Sequence, residues 1–139
     1  MKVLFVKRIT AVAVAFFVLL CLAACSNGGN DKSAVFDYGD TKIEYDKAEV
    51  FYLNNSSIHF YFKSDKVVAA EKIAEFETVG QAEKYAEANS DYYNMYYKVV
   101  ISRTTVTMTY SKDYIKQNYS SKTRQELVQT YTELGYKRG

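Results

Sequence analysis

Between Arg8 and Ser26 every residue is apolar or small except Thr10, and this opening stretch limits how much of the chain can enter a water-soluble fold. It follows a basic start made by Lys2, Lys7 and Arg8, and its apolar run, broken only by Thr10, extends from Ile9 to Leu20. That is shorter than the roughly 20 residues a helix needs to cross the hydrocarbon layer of a bilayer. A charged front, a short apolar middle and a small-residue exit form the pattern of a cleaved export signal. The residues that follow, Ser26 to Ser33, contain no apolar side chain. They cannot bury enough surface to offset the entropy of ordering, so a flexible tether is expected there. The chain thus divides into a signal over 1–24, a tether over 25–33 and one domain over 34–139, just over a hundred residues and enough for a single modest core.

The exit from the apolar run reads Leu22-Ala23-Ala24-Cys25. This resembles the lipobox of bacterial lipoproteins at all four positions. The resemblance implies that Leu22, Ala23 and Ala24 are read by the lipoprotein signal peptidase. It also implies cleavage before Cys25 and attachment of diacylglycerol to the Cys25 thiol. The protein would then sit on the outer side of the cell membrane, held through its lipid. The competing readings are an ordinary signal in which Cys25 is incidental, or an uncleaved anchor. The region after the tether is similar to small bacterial lipoproteins of unknown function, a likeness that implies no activity.

Processing alters the inventory of reactive and charged groups. Cys21 would leave with the signal and Cys25 would carry lipid, so the domain would hold neither disulfides nor cysteine metal sites. Of the 18 Lys and Arg residues, Lys2, Lys7 and Arg8 are removed; 15 remain against 16 Asp and Glu, a formal charge of −1. Nucleic acid is therefore not an expected partner.

Periodicity supplies the elements of the domain. Thr41 to Leu53 is β-prone, Asn54-Asn55-Ser56 makes a turn, and Ile58 to Phe62 returns as a strand to close a hairpin. Lys66 to Phe76 fits a third strand better than a helix. Thr78 and Gln81 form a capping box for a helix reaching about Tyr92, with Val79, Ala82, Tyr85, Ala86 and Tyr93 as its buried stripe. A second hairpin pairs Met95–Ile101 with Thr104–Tyr110. In it Tyr97, Val99 and Ile101 face the core, while Thr105, Thr107 and Thr109 face water. A short helical piece over Ser111 to Asn118 is followed by a second capping box, Thr123 to Glu126. The helix it opens carries Leu127, Val128, Tyr131 and Leu134 on one stripe, and Gly135 ends it. Lys137 and Arg138 lie where cations suit the helix dipole. The expected fold is α+β: a small antiparallel sheet of four to five strands in two hairpins, with two helices on one face.

Few residues suggest chemistry. The single histidine, His59, lies mid-strand with Ser57, Tyr61 and Lys63 on its side and reads as a solvated surface residue, so no acid–base pair is expected and the protein is taken as non-enzymatic. No phosphate loop is present and no cofactor is expected. Asp37, Asp40, Glu44 and Asp46 put four carboxylates in ten residues, which suits calcium chemically, but their spacing fits no EF-hand loop and solvated charges are the simpler reading. Tyr92, Tyr93, Tyr96 and Tyr97 are the remaining candidates: those that point outward could receive a protein partner or a cell-wall glycan. The function expected is that of an envelope lipoprotein binding a protein or cell-wall component. The alternative is a small solute-binding or sensory module serving a membrane complex.

Overall fold

The computed structural model of the chain describes residues 6–8, 34–39, 41–92 and 94–139. Leu22, Ala23, Ala24, Cys25 and the tether lie outside the described residues. The elements are β1 (Val6–Arg8), β2 (Ala34–Asp37), β3 (Lys42–Tyr45), β4 (Lys47–Leu53), β5 (Ser56–Lys63), β6 (Lys66–Glu75), α1 (Val79–Ser90), β7 (Tyr96–Ser102), β8 (Thr105–Tyr110), α2 (Lys112–Asn118), α3 (Arg124–Glu133) and β9 (Lys137–Arg138). The fold is α+β around an antiparallel sheet, with more strands than the sequence led us to expect; the short helical piece expected over Ser111 to Asn118 is α2.

The main sheet has the order β1-β7-β8-β6-β5-β4-β9, and β2 pairs with β3 in a separate two-stranded sheet. Within the main sheet only the β1–β7 contact is parallel. The strands from β4 to β6 run through two-residue turns, Asn54–Asn55 and Ser64–Asp65. In the second of these both residues have positive φ, 50° and 65°, the geometry that matches the right-handed twist of adjoining strands.

Three helices pack on one face of this sheet. Ala82 and Ala86 from α1, Ile115 from α2 and Leu127 from α3 join Phe51, Phe60, Val106 and Met108 in one buried cluster. Both capping boxes form as expected, at Thr78/Gln81 and Thr123/Glu126. Gly135 takes the left-handed conformation, φ 93°, in which a residue without a Cβ is favoured. Two stripe positions depart from expectation: Val79 is 47% exposed and Leu134 63%. Both lie at helix ends, Val79 as the first residue of α1 and Leu134 as the C-cap of α3.

The expected single run from Thr41 to Leu53 divides at Asp46. The Asp46 N–H donates to the Phe62 carbonyl at 2.8 Å and its carboxylate accepts from the Ser64 N–H at 3.1 Å, which fixes the corner. Past that corner β3 leaves the main sheet, pairs with β2 and lies over the second face. There Phe36, Tyr38 and Tyr45 bury Tyr61 and Ala69 in a core of their own. The second face is therefore not the solvated surface expected from the threonine alternation: Thr109, Glu71 and Ser57 are all buried.

Another departure concerns the chain after α3. Lys137 and Arg138 do not serve the helix dipole; they form β9 against Phe51 and Tyr52 of β4. The Glu49 carboxylate holds Arg138 there, accepting from its Nε at 2.9 Å and Nη2 at 2.6 Å, and also from Arg124 Nη1 of α3 at 2.7 Å.

Candidate functional site

Cross-strand register places Lys98, Thr109, Glu71 and His59 in one row across the second face. His59, read from sequence as solvated, is instead half-buried, with Ser57 Oγ 3.0 Å from its Nε2. Burial pushes its pKa down to about 4, so the ring is neutral at ordinary pH. Residues two apart on a strand share a face, so the contact with Ser57 is a local consequence of the strand. Glu71 is the more perturbed group. Burial pushes its carboxyl up to about 7, against the opposing pull of a hydrogen bond from Tyr61 and the charge of Lys98. Tyr61 Oη donates to its Oε1 at 2.8 Å.

The Glu71 shift has a testable consequence. A carboxyl that binds its proton more tightly in the native state favours folding at low pH. That stability is lost as pH rises from about 4.5 toward 7. Glu71→Gln keeps an oxygen to accept from Tyr61 without the charge. It should therefore be more stable than the parent by about 2 kcal/mol at pH 8, with the difference shrinking toward zero by pH 4.5. His59 has the opposite slope between about 4 and 6.5, so the check is the difference between the two melting curves across pH.

The tyrosine stretch separates into different roles. Tyr96 is a core residue, 9% exposed, and its ring packs against Tyr110 at 5.1 Å. Tyr97, expected in the core, is 46% exposed. A register shift between Tyr96 and Lys98 inverts the alternation there. The Tyr97 ring stacks on Tyr38 at 4.5 Å and 26°, and Lys112 Nζ sits 4.9 Å from the centre of the Tyr38 ring. Tyr92 is 60% exposed, and Tyr93 lies outside the described residues. Among the described residues, the patch that can meet a partner reduces to Tyr92 and Tyr97.

The acidic residues near the start of the domain are occupied locally. Asp37 accepts from the Gly39 N–H, Glu44 pairs with Lys63 at 2.8 Å, and Asp46 holds the Ser64 N–H; Asp40 lies outside the described residues. Among the described residues no group of three His, Cys, Asp or Glu side chains is placed to hold a metal ion.

Two grooves, which local sequence patterns did not reveal, lie at the Asn54–Asn55 end of the sheet and open on its opposite faces. One, of about 600 Å³, is bounded by Phe76, Glu77, Gln81, Lys84 and Tyr85; the other, of about 220 Å³, by Tyr52, Asn54, Ser56, Ser57 and Ile73. Asn55 and Glu75 line both. The septum between them is pinned twice: Asn55 Nδ2 donates to the Glu75 carbonyl at 2.9 Å, and the Glu75 N–H donates to the Asn55 carbonyl at 2.8 Å. The grooves join the first hairpin turn, the end of β6 and the start of α1, three segments that meet only on folding. No protein family, no curated protein and no solved structure matches this chain.

Proposed function

We propose that the protein is a membrane-anchored, extracytoplasmic lipoprotein, non-enzymatic, that binds a protein or a cell-wall component. The observation that carries this reading is the sequence Leu22-Ala23-Ala24-Cys25 at the exit of a short apolar run with a basic front. A diacylglycerol chain alone anchors a soluble domain to a bilayer because each buried CH₂ contributes about 0.8 kcal/mol.

The placement of the grooves supports a binding role. Ala34, where the domain begins, pairs with Tyr45, next to the corner that Asp46 makes with Ser64. The Asn54–Asn55 turn is at the opposite end of β5, roughly 25–30 Å away at about 3.3 Å per strand residue. A domain attached at Ala34 therefore presents its grooves away from the point of attachment.

The experiment is mass spectrometry of the N-terminal peptide of the protein recovered from its host membrane. The expected species begins at Cys25 and carries diacylglycerol. A free thiol at Cys25, or an intact residue 1–24 segment, overturns the reading. Cys25→Ser should leave the protein unlipidated, because serine has no thiol for the thioether, and should release it from the membrane fraction. The size of the smaller groove also suits a free solute, the alternative reading. A thermal-shift panel of amino acids and cell-wall fragments separates the two, because only a saturable shift with a small solute favours that alternative.

A further inference from the structure

We propose that the smaller groove, on the second face of the main sheet, is a site for a primary ammonium group on a short aliphatic chain, whether a free alkylamine or a lysine side chain in a peptide. The inference rests on the binding role proposed above, and it names the chemistry that is recognised.

Register decides which side chains meet there. Tyr52 pairs with Ser57 and Ser57 with Ile73, so the three stand in one row across β4, β5 and β6. Glu75 lies two residues along β6 from Ile73 and so sends its side chain to the same face. In the groove of about 220 Å³, Tyr52 and Glu75 come from the two flanking strands, Ser57 lies between them, and Asn54 and Asn55 close the end. The flanking strands are two spacings apart, about 10 Å. An aliphatic chain can therefore lie across Ser57 with its ammonium at Glu75 and its methylenes on Tyr52.

The charge of the lining selects a cation. Glu75 is the single formally charged residue lining the groove, and among the described residues no cation pairs with its carboxylate. An ammonium brings three N–H donors and no acceptor. The groove offers acceptors to match: the carboxylate, the Ser57 hydroxyl and the side-chain oxygen of Asn55, whose Nδ2 is committed to the Glu75 carbonyl at 2.9 Å. The Tyr52 ring, 50% exposed, covers the methylenes and adds cation–π attraction. His59, 3.0 Å from Ser57 Oγ, is kept neutral by burial and sets no competing charge behind the hydroxyl. Lys137 pairs with Tyr52 on the far side. It stands three strand spacings from Glu75, about 14 Å, beyond a screening length of about 8 Å.

Size agrees with this chemistry. At roughly 30 Å³ for each water-sized group, about 220 Å³ holds roughly seven non-hydrogen atoms, enough for pentylamine or a lysine side chain. Other ligand classes fit less well. An anion would meet Glu75 with no cation in the lining, and a wholly apolar ligand would leave the carboxylate and amides unpaired. The larger groove, on the helix face, carries its own cation, Lys84, beside Glu77, and serves as the internal control.

The test uses the full processed protein in micelles of a nonionic detergent. The probes are n-pentylamine for a free amine and Nα-acetyl-lysine N-methylamide for a peptide-borne one, with n-pentanol and the Nε-acetylated lysine derivative as their uncharged counterparts. Binding is read from backbone amide chemical shifts. At least one amine should saturate, shift the amides of Asn55, Ser57 and Glu75, and bind about tenfold or more tighter than its uncharged counterpart. Glu75→Gln should weaken it about tenfold and Tyr52→Ala about threefold, each with the amide spectrum elsewhere unchanged. Glu77→Gln, in the other groove, should leave the affinity as it is. Tighter binding of pentylamine identifies a free solute as the source, and tighter binding of the lysine derivative a peptide.

The proposal is overturned if neither amine saturates, if an uncharged counterpart binds as tightly, if Glu75→Gln leaves the affinity unchanged, or if the shifts map to Gln81 and Tyr85 instead. A failed amine titration with lipidated Cys25 intact defeats this inference alone; an unlipidated Cys25 defeats the anchoring proposal and leaves the amine result to stand separately.

Discussion

Leu127→Ala is expected to lower the unfolding free energy by about 2–5 kcal/mol, whereas Leu134→Ala should change it by no more than about 0.5 kcal/mol. The two leucines lie seven residues apart and share a helical stripe, yet Leu127 is fully buried and Leu134 is 63% exposed. Leu127 belongs to the cluster of Phe51 and Phe60, with Tyr131 packed against it, and the rings of Phe51 and Tyr131 stack at 5.2 Å. Removing its isopropyl group leaves a void between helix and sheet that those rings can fill only by abandoning their own contacts. Against a total of about 5–15 kcal/mol for a domain of this size, the loss is large. Urea unfolding monitored by circular dichroism measures it. Glu133→Ala, on an exposed position that accepts a hydrogen bond from Gln129, should do little. Equal sensitivity at Leu127 and Leu134 would show that α3 does not pack on the sheet through the stripe described here.

Glu49→Ala is the second large loss, expected at about 2–3 kcal/mol near pH 7. The carboxylate is buried and receives three charge-assisted hydrogen bonds from Arg124 and Arg138. It ties α3 and β9 to β4 at once. Both arginines are partly exposed, so they can recover water when the partner is removed, which keeps the loss below that of a wholly buried pair. The pH dependence has a definite sign. Burial alone would raise the Glu49 pKa, but the hydrogen bonds from Arg138 and Arg124 outweigh it and hold the group below its ordinary value. A carboxyl lowered in the folded state stabilises above its unfolded pKa of about 4.5 and ceases to do so as pH falls through the native value. The gap between parent and Glu49→Ala should therefore close in strong acid. A gap of the same size at pH 7 and in strong acid would show that the loss comes from packing and not from charge.

What the sequence disclosed follows from how local each determinant is. Strand alternation and the two capping boxes depend on residues within a few positions of one another, and β4 to β8, α1 and α3 were legible for that reason. The bulge beside Tyr97 was not, since one extra residue inverts the alternation without changing composition. β9 was hidden because two cationic residues after a helix satisfy the dipole rule equally well; Glu49, 89 positions away from Arg138, decides the matter. His59 read as ordinary surface alternation because nothing local announces that β2 and β3 fold back over that face. The grooves were hidden for the same reason.

The two outer strands of the main sheet are unequally guarded. β4 is closed by β9, whose two residues are both cationic and one of which, Arg138, is clamped by Glu49. On its side away from β8, β7 is covered among the described residues by β1, through Val6–Arg8 paired to Val99–Ile101, and cleavage before Cys25 would remove Val6–Arg8. The released strand would then offer seven residues with a single charge, Lys98, and no proline to other chains. Charges and prolines are what normally discourage uninvited strand pairing. The processed protein should accordingly be sensitive to crowding: concentrating it, or placing many copies on one patch of membrane, favours head-on association through β7 and sets a practical ceiling on the concentration at which it stays monomeric.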